Sequence, residues 1–83
     1  MSARKNLNED LSLLVADLVE RGLTLEQARA QFERQFIVSC LRSHRGNLSR
    51  SADALGVHRN TLRNKVSRLG IEPRDVVRPR RRE

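Results

Sequence analysis

Apolar residues recur at helical spacing in four segments of the chain. In the first segment they follow the i, i+3, i+4, i+7 pattern that places one apolar stripe along a helix: Leu11, Leu14, Val15 and Leu18. Asn8 precedes the acidic pair Glu9-Asp10, which is typical of a helix start, and Gly22 follows as a stop. The pattern predicts a helix from about Asn8 to Arg21.

The second segment carries two apolar stripes instead of one. Thr24 and Gln27 have the spacing of a capping box, so a helix is expected to begin there and to end near His44. One stripe holds Leu25, Ala28, Phe32 and Phe36, and the other, on roughly the opposite side, holds Ala30, Ile37 and Leu41. This helix is predicted to be buried on more than one side.

Two shorter helices follow, separated by a tight turn. Asn47 or Ser49 is expected to cap a third helix that ends at Leu55, and a fourth helix is expected from about His58 to Leu69. The small Ala52 would allow two helices to cross closely, and Gly56 can adopt the positive φ of a sharp turn. The arrangement predicts a helix-turn-helix.

The outward face of the fourth helix has the chemistry of a DNA-reading surface. Inward positions are assigned to Leu62, Val66 and Leu69, which leaves His58, Arg59, Asn60, Thr61, Arg63, Asn64 and Arg68 outward. Arginine can pair bidentately with guanine, asparagine with adenine, and threonine can contact a thymine methyl group or a phosphate. The alternative interpretation is an ordinary solvated helix face.

Charge is distributed unevenly along the chain. The 83 residues carry a formal net charge of +7. Residues 1–41 hold five Lys/Arg and six Asp/Glu, whereas residues 42–83 hold twelve and four. A polyanion partner is therefore expected for the second half only, and the first half is expected to have a different task. A helix-turn-helix region over 47–71 and a basic flexible tail over 72–83 complete the predicted organisation.

Other functions receive weaker support from the residues. Cys40 and His44 could ligate a metal but lack further partners, and no catalytic set or phosphate loop is visible, so no enzyme activity and no cofactor are expected. No membrane role and no small-molecule substrate are expected either, and RNA binding lacks an aromatic platform. The arginines of the tail are either a solvated charge run or an arm that enters an AT-rich minor groove.

From about Leu25 to Ile71 the chain resembles the Fis family (factor for inversion stimulation) and the Fis-like output domains of NtrC-type activators. The matching residues are Arg45-Gly46-Asn47, Ala52, Leu55-Gly56-Val57, Arg59-Asn60-Thr61-Leu62-Arg63 and Leu69-Gly70-Ile71. The resemblance implies an intertwined homodimer that binds successive major grooves and bends DNA, and it assigns residues 1–46, with the first two helices, to dimerisation. It places Asn47 and Ser49 on phosphates, and His58, Arg59, Thr61, Arg63 and Lys65 on the fourth helix's contact positions. Three residues depart from Fis itself: His58, Asn60 and Asn64.

Together these observations predict an all-α, four-helix subunit with a C-terminal helix-turn-helix, assembled as an intertwined homodimer. The expected function is sequence-tolerant binding of double-stranded DNA in the bacterial cytoplasm, as a nucleoid-associated protein or transcriptional regulator. The DNA-contacting residues are predicted to be Asn47, Ser49, His58, Arg59, Asn60, Thr61, Arg63, Lys65 and Arg68. A charge at Phe36 or Ile37 is predicted to break the dimer. The alternatives are a protein-interaction module and the excised DNA-binding domain of a larger activator.

Overall fold

The computed structural model describes residues 6–77, which form helices and connecting turns only. In chain order the helices are α1 (Leu7–Glu20), α2 (Leu25–Ser43), α3 (Leu48–Leu55), α4 (Arg59–Arg68) and α5 (Pro73–Val76). The predicted all-α class is confirmed, while the predicted count of four helices is one too low. None of the helices within residues 6–77 has both the length and the apolar composition that a membrane crossing requires.

Side chains fix the starts of the first three helices. The capping box of α2 is present: the Thr24 hydroxyl accepts from the Gln27 backbone N–H at 3.1 Å, and the Gln27 side chain accepts from the Thr24 N–H at 2.9 Å. Asn47 rather than Ser49 caps α3, with Oδ1 accepting from the Arg50 N–H at 3.0 Å. The cap of α1 is Asn6, not Asn8. Its Oδ1 satisfies the Asn8 N–H, one of the donors left free in a first turn.

The core lies where α2, α3 and α4 meet. Its fully packed members are Ile37, Val38, Leu41, Ala52, Leu62 and Ile71. Partly buried residues close its edge: Leu48, Leu55, Val57, Val66, Leu69 and Val76. Of the two stripes on α2, the one with Ile37 and Leu41 therefore serves the subunit itself. That a charge at Ile37 breaks the dimer stays a prediction, and because Ile37 is buried inside the single subunit such a charge would also destabilise the subunit itself.

Helix α1 contributes no buried residue to the subunit. Its large apolar side chains are exposed along most of its length: Leu7, Leu11, Leu13, Leu14, Val15 and Val19. The other stripe of α2 is exposed as well, at Leu25, Phe32 and Phe36. Within residues 6–77, therefore, nothing covers these apolar side chains of α1 and α2.

Helix α5 was not predicted, because the sequence analysis assigned residues 72–83 to a flexible tail. Pro73 occupies the first turn, where a missing N–H costs nothing, and the Asp75 carboxylate accepts from the Glu72 backbone N–H at 2.8 Å. Asp75 also pairs with Arg34 of α2 at 3.0 Å, which fastens the helix to the fold. The part of the tail prediction that concerns residues 78–83 lies outside the described residues.

Candidate nucleic-acid interface

The turn between α3 and α4 depends on one glycine. Gly56 adopts φ +75°, a left-handed conformation that residues with a Cβ atom adopt only with strain. The backbone N–H groups of Gly56 and Val57 bond back to the carbonyls of Asp53, at 3.2 Å, and Ala52, at 3.0 Å. These bonds satisfy the end of α3 and reverse the chain within two residues, as predicted for a helix-turn-helix.

Packing between α3 and α4 sets the orientation of α4. Leu62, at the centre of α4, is fully buried, and Ala52 on α3 is 2% exposed. Val66 and Leu69 lie against the same core and are partly buried. The inward positions predicted for α4 are therefore confirmed, and the opposite side of the helix is directed to solvent.

The outward side of α4 holds most of the predicted contact residues. His58, Arg59, Asn60, Thr61, Arg63, Asn64 and Arg68 are all exposed. His58 occupies the N-cap position without a side-chain capping bond, so its imidazole is not used to start the helix. Within residues 6–77 no carboxylate lies within ion-pair distance of Arg59, Arg63 or Arg68, whose guanidinium groups are therefore not engaged by acids there.

Lys65 is placed differently from the other predicted contacts. It is half-buried, and its Nζ lies 2.9 Å from Glu33 Oε2 of α2. The hydrogen bond from Lys65 holds the pKa of Glu33 below its ordinary value, although desolvation opposes the shift. The pair joins α2 to α4, so the lysine side chain points toward its own subunit rather than along the outward face.

A second exposed polar group lies at the start of α3. Asn47 uses Oδ1 for the cap, which leaves its amide NH₂ without a role in the helix start, and Ser49 is exposed in the first turn. The partial positive charge of a helix N-terminus favours anions at this place. Arg45 and Arg50, both exposed, flank the same turn. The sequence analysis did not place these two arginines among the predicted DNA contacts. Two positive charges beside a helix N-terminus could have identified them.

Cys40 and His44 lie one turn apart at the end of α2. The His44 Nδ1 lies 2.9 Å from the Cys40 backbone carbonyl and 3.8 Å from the Cys40 Sγ, which is the local geometry of a helix end. Across residues 6–77 there is no group of three or more side chains suited to holding a metal ion.

Comparisons with known proteins agree with this geometry. The chain is 38% identical over 50 residues to the nitrogen assimilation regulatory protein NtrX of Azorhizobium caulinodans, a match covering 60% of this chain and 11% of that protein. It is 41% identical over 46 residues to the DNA-binding transcriptional regulator NtrC of Rhizobium meliloti, covering 55% of this chain and 10% of that protein. The chain thus corresponds to about a tenth of the length of these relatives. No solved structure matches it.

The sequence model described as "Bacterial regulatory protein, Fis family" matches residues 28–69. These residues make up half of the chain and run from the first turns of α2 to the end of α4. They therefore include the core residues of α2, the glycine turn and the whole exposed face of α4. On the sequence match and on the helix-turn-helix geometry, this chain belongs to the Fis family of bacterial regulatory proteins.

Proposed function

We propose that this chain is a homodimeric DNA-binding element of a transcription regulator, with α4 as the helix that enters the major groove. The observation that carries the proposal is the exposed face of α4, which presents three unpaired arginines within the described residues, together with two asparagines and a threonine. An α-helix fits the major groove, where these side chains can bond to base edges. The match to regulators named as NtrX and NtrC supports transcription regulation in preference to a general nucleoid role.

The contact residues fall into two groups with different tasks. Arg59 lies in the first turn of α4 and is the leading candidate for a base contact, with Asn60, Thr61 and Arg63 beside it. At the start of α3, Asn47 and Ser49 are suited to phosphates, which fix position rather than sequence. Lys65 is assigned to neither group, because its bond to Glu33 gives it the task of holding α4 against α2.

A second copy of the chain is the partner best suited to the uncovered apolar surface. Helix α1 has no buried residue, and Phe32 and Phe36 are both more than half exposed on α2. Exposed apolar surface of this extent marks an interaction site in a protein that is otherwise polar and basic. Two copies joined through α1 and α2 would present two α4 helices, which suits half-sites one helical turn apart. That such a dimer bends the DNA is proposed from the family resemblance.

The alternative is a protein-interaction module whose basic half is incidental. DNA binding can be told from protein binding by its dependence on salt. A protein that neutralises phosphates releases counterions from the DNA, so its affinity for DNA falls steeply as the salt concentration rises. Fluorescence anisotropy at several salt concentrations, on a duplex of about 25 base pairs, measures this directly. We expect binding by a dimer, with a slope of about −0.9 for each phosphate neutralised. No binding at low salt would leave the interaction module as the better interpretation.

The Arg59→Ala variant tests the assignment of α4. We expect it to weaken specific binding by about 1–3 kcal/mol without a change in the fold, because the Arg59 side chain is exposed. Arg21→Ala is the matched control, since it removes the same charge from an exposed position at the end of α1, where Arg21 pairs with Asp17. If both variants bind as the wild type does, α4 is not the reading helix.

A further inference from the structure

A groove in the C-terminal half of the chain has no task in the function proposed above. Its volume is about 680 Å³, within the range of roughly 300–1,000 Å³ that binding sites for small molecules occupy. Residues from α2, α3, α4 and α5 line it. Because four helices converge on the groove, the packing of the fold sets its shape, and not the conformation of one loop.

The floor and walls of the groove are apolar. Leu41 and Ile71, which belong to the buried core, form its floor. The half-buried side chains of Leu48, Val66 and Val76 form its walls. A concave apolar surface favours an apolar ligand, because apolar groups gain free energy when they leave water.

The rim of the groove is charged. Arg42, Arg45 and Glu72 line it, and all three are exposed. The Glu72 carboxylate lies 3.1 Å from Nε of Arg74, which balances its charge. Within residues 6–77 no carboxylate lies within ion-pair distance of Arg42 or Arg45. Arg42 donates from Nε to the Asp75 backbone carbonyl at 3.0 Å, which leaves its two terminal NH₂ groups for another partner. The rim is therefore suited to an anionic group.

The backbone at the end of α2 places Arg45 at this rim. Arg45 has φ +54°, and among the non-glycine residues of 6–77 it alone has a positive φ. Residues with a Cβ atom seldom adopt this conformation, because the Cβ crowds the backbone. The next residue, Gly46, donates its N–H to the Leu41 carbonyl at 2.8 Å, which holds the turn closed. Arg45 is thereby kept between the groove and the start of α3, two residues before the Asn47 cap.

We infer that this groove binds an amphipathic carboxylate, such as a medium-chain fatty acid. The apolar chain lies against Leu41 and Ile71, and the carboxylate accepts hydrogen bonds from the guanidinium groups of Arg42 and Arg45. The ligand is an effector that lowers affinity for DNA, because it neutralises an arginine beside the α3 N-terminus. The effect on DNA rests on the proposed function, whereas binding of the ligand does not.

Isothermal titration calorimetry of the full chain with sodium decanoate, below the concentration at which it forms micelles, tests the site without DNA. We expect one decanoate to bind per chain. Octanoate should bind about fifteenfold more weakly, since each buried methylene group contributes about fourfold in affinity. No binding, or equal affinity for the two acids, would overturn the inference.

NMR locates the bound acid. In ¹H–¹⁵N spectra of the labelled chain, decanoate should shift the amide signals of Leu48, Ile71 and Val76, which line the groove. The signals of Leu11 and Phe32 should stay in place, because these residues belong to the exposed apolar stripes of α1 and α2. Shifts confined to those stripes would show that decanoate binds exposed apolar surface instead, which would overturn the inference.

Arg45→Gln tests the contact with the carboxylate. We expect it to weaken decanoate binding at least about tenfold with unchanged helix content by circular dichroism, because a hydrogen bond between two charged groups is lost. Arg50→Gln is the matched control, since it removes the same charge from an exposed residue near the same turn that does not line the groove. Equal affinities of the two variants for decanoate would remove Arg45 from the site and overturn the inference.

Anisotropy titrations with DNA, with and without saturating decanoate, test the effector role. We expect decanoate to weaken DNA binding by the wild-type chain at least about fivefold, and to have little effect on Arg45→Gln. Unchanged DNA affinity of the wild type at saturation would overturn the effector role. If the wild-type chain does not bind DNA at all, the proposed function fails, and calorimetry with decanoate alone still decides whether the groove is a binding site.

Discussion

Replacing Phe36 by aspartate should separate the two copies of the chain while leaving each subunit's core untouched. Phe36 is 55% exposed in the single chain and its ring centroid lies 5.6 Å from that of Phe32. A phenylalanine presents about 200 Å² of surface, so a partner that covers the exposed part buries about 110 Å². At about 25 cal/mol per Å², this contributes about 3 kcal/mol per subunit.

Because the interface of a symmetric dimer contains the residue twice, the loss is about 5.5 kcal/mol, which raises the dimer dissociation constant about ten-thousandfold. A buried aspartate adds a desolvation cost to that figure. Sedimentation equilibrium over a range of protein concentrations measures the constant. Phe36→Leu is the control, since it keeps an apolar side chain at the site and should leave the dimer largely intact.

An unchanged dissociation constant for Phe36→Asp would show that this stripe of α2 is not the interface. The neighbouring residue provides the contrast. Ile37 is 4% exposed and packs in the subunit core, so Ile37→Ala should lower the free energy of unfolding by about 2–5 kcal/mol, as measured by urea denaturation. If Ile37→Ala were to dissociate the dimer without destabilising the subunit, the division of α2 into a core stripe and an interface stripe would be wrong.

Three further predictions concern single residues. Asn47→Asp should retain the α3 cap and the melting temperature, because aspartate caps a helix as well as asparagine does. It should weaken DNA binding at least about tenfold, because it places a carboxylate near phosphates. Unchanged DNA affinity would show that Asn47 is not part of the interface. Glu33→Gln should cost about 0.5–1 kcal/mol of stability near pH 7. Because the pKa of Glu33 is lowered in the folded state, this stabilisation is present above the ordinary pKa of 4.5 and disappears as the pH falls through the folded pKa. The free energies of unfolding of wild type and variant should therefore converge at acid pH. Gly56→Ala meets no atom within 4 Å, so its expected loss of about 1–2 kcal/mol in thermal unfolding is backbone strain alone, and an unaltered melting temperature would contradict it.

Local features of the fold could be predicted because neighbouring residues determine them. The Thr24–Gln27 capping box, the turn at Gly56 and the inward Leu62 each depend on positions a few residues apart, and all three are confirmed. The all-α class follows from the same short-range patterns, whereas the family was suggested by the resemblance of its motifs. Helix α5 was missed although its signal is local, with Pro73 at the first helical position and Asp75 completing a capping box, because the surrounding charge favoured a tail.

Long-range pairings could not be predicted from one sequence. Lys65 lies on a contact position by resemblance, but it bonds to Glu33, 32 residues earlier in the chain. Asp75 and Arg34 are separated by 41 residues. Such pairs depend on how helices cross, which spacing along one helix does not specify. The same is true of the two stripes of α2, whose apolar pattern gives no indication of which one packs within the subunit and which one remains exposed.

Helix α1 has no buried residue in the single chain, so the homodimer proposed above would make the behaviour of the chain depend on its concentration. In the proposed homodimer a second copy covers the exposed apolar side chains of α1, so association would stabilise the fold and the melting temperature would rise with protein concentration. At concentrations well below the dimer dissociation constant, occupancy of a two-half-site operator then varies with the square of the monomer concentration. A twofold change in expression would alter occupancy about fourfold, a steeper response than a monomeric DNA-binding protein can give.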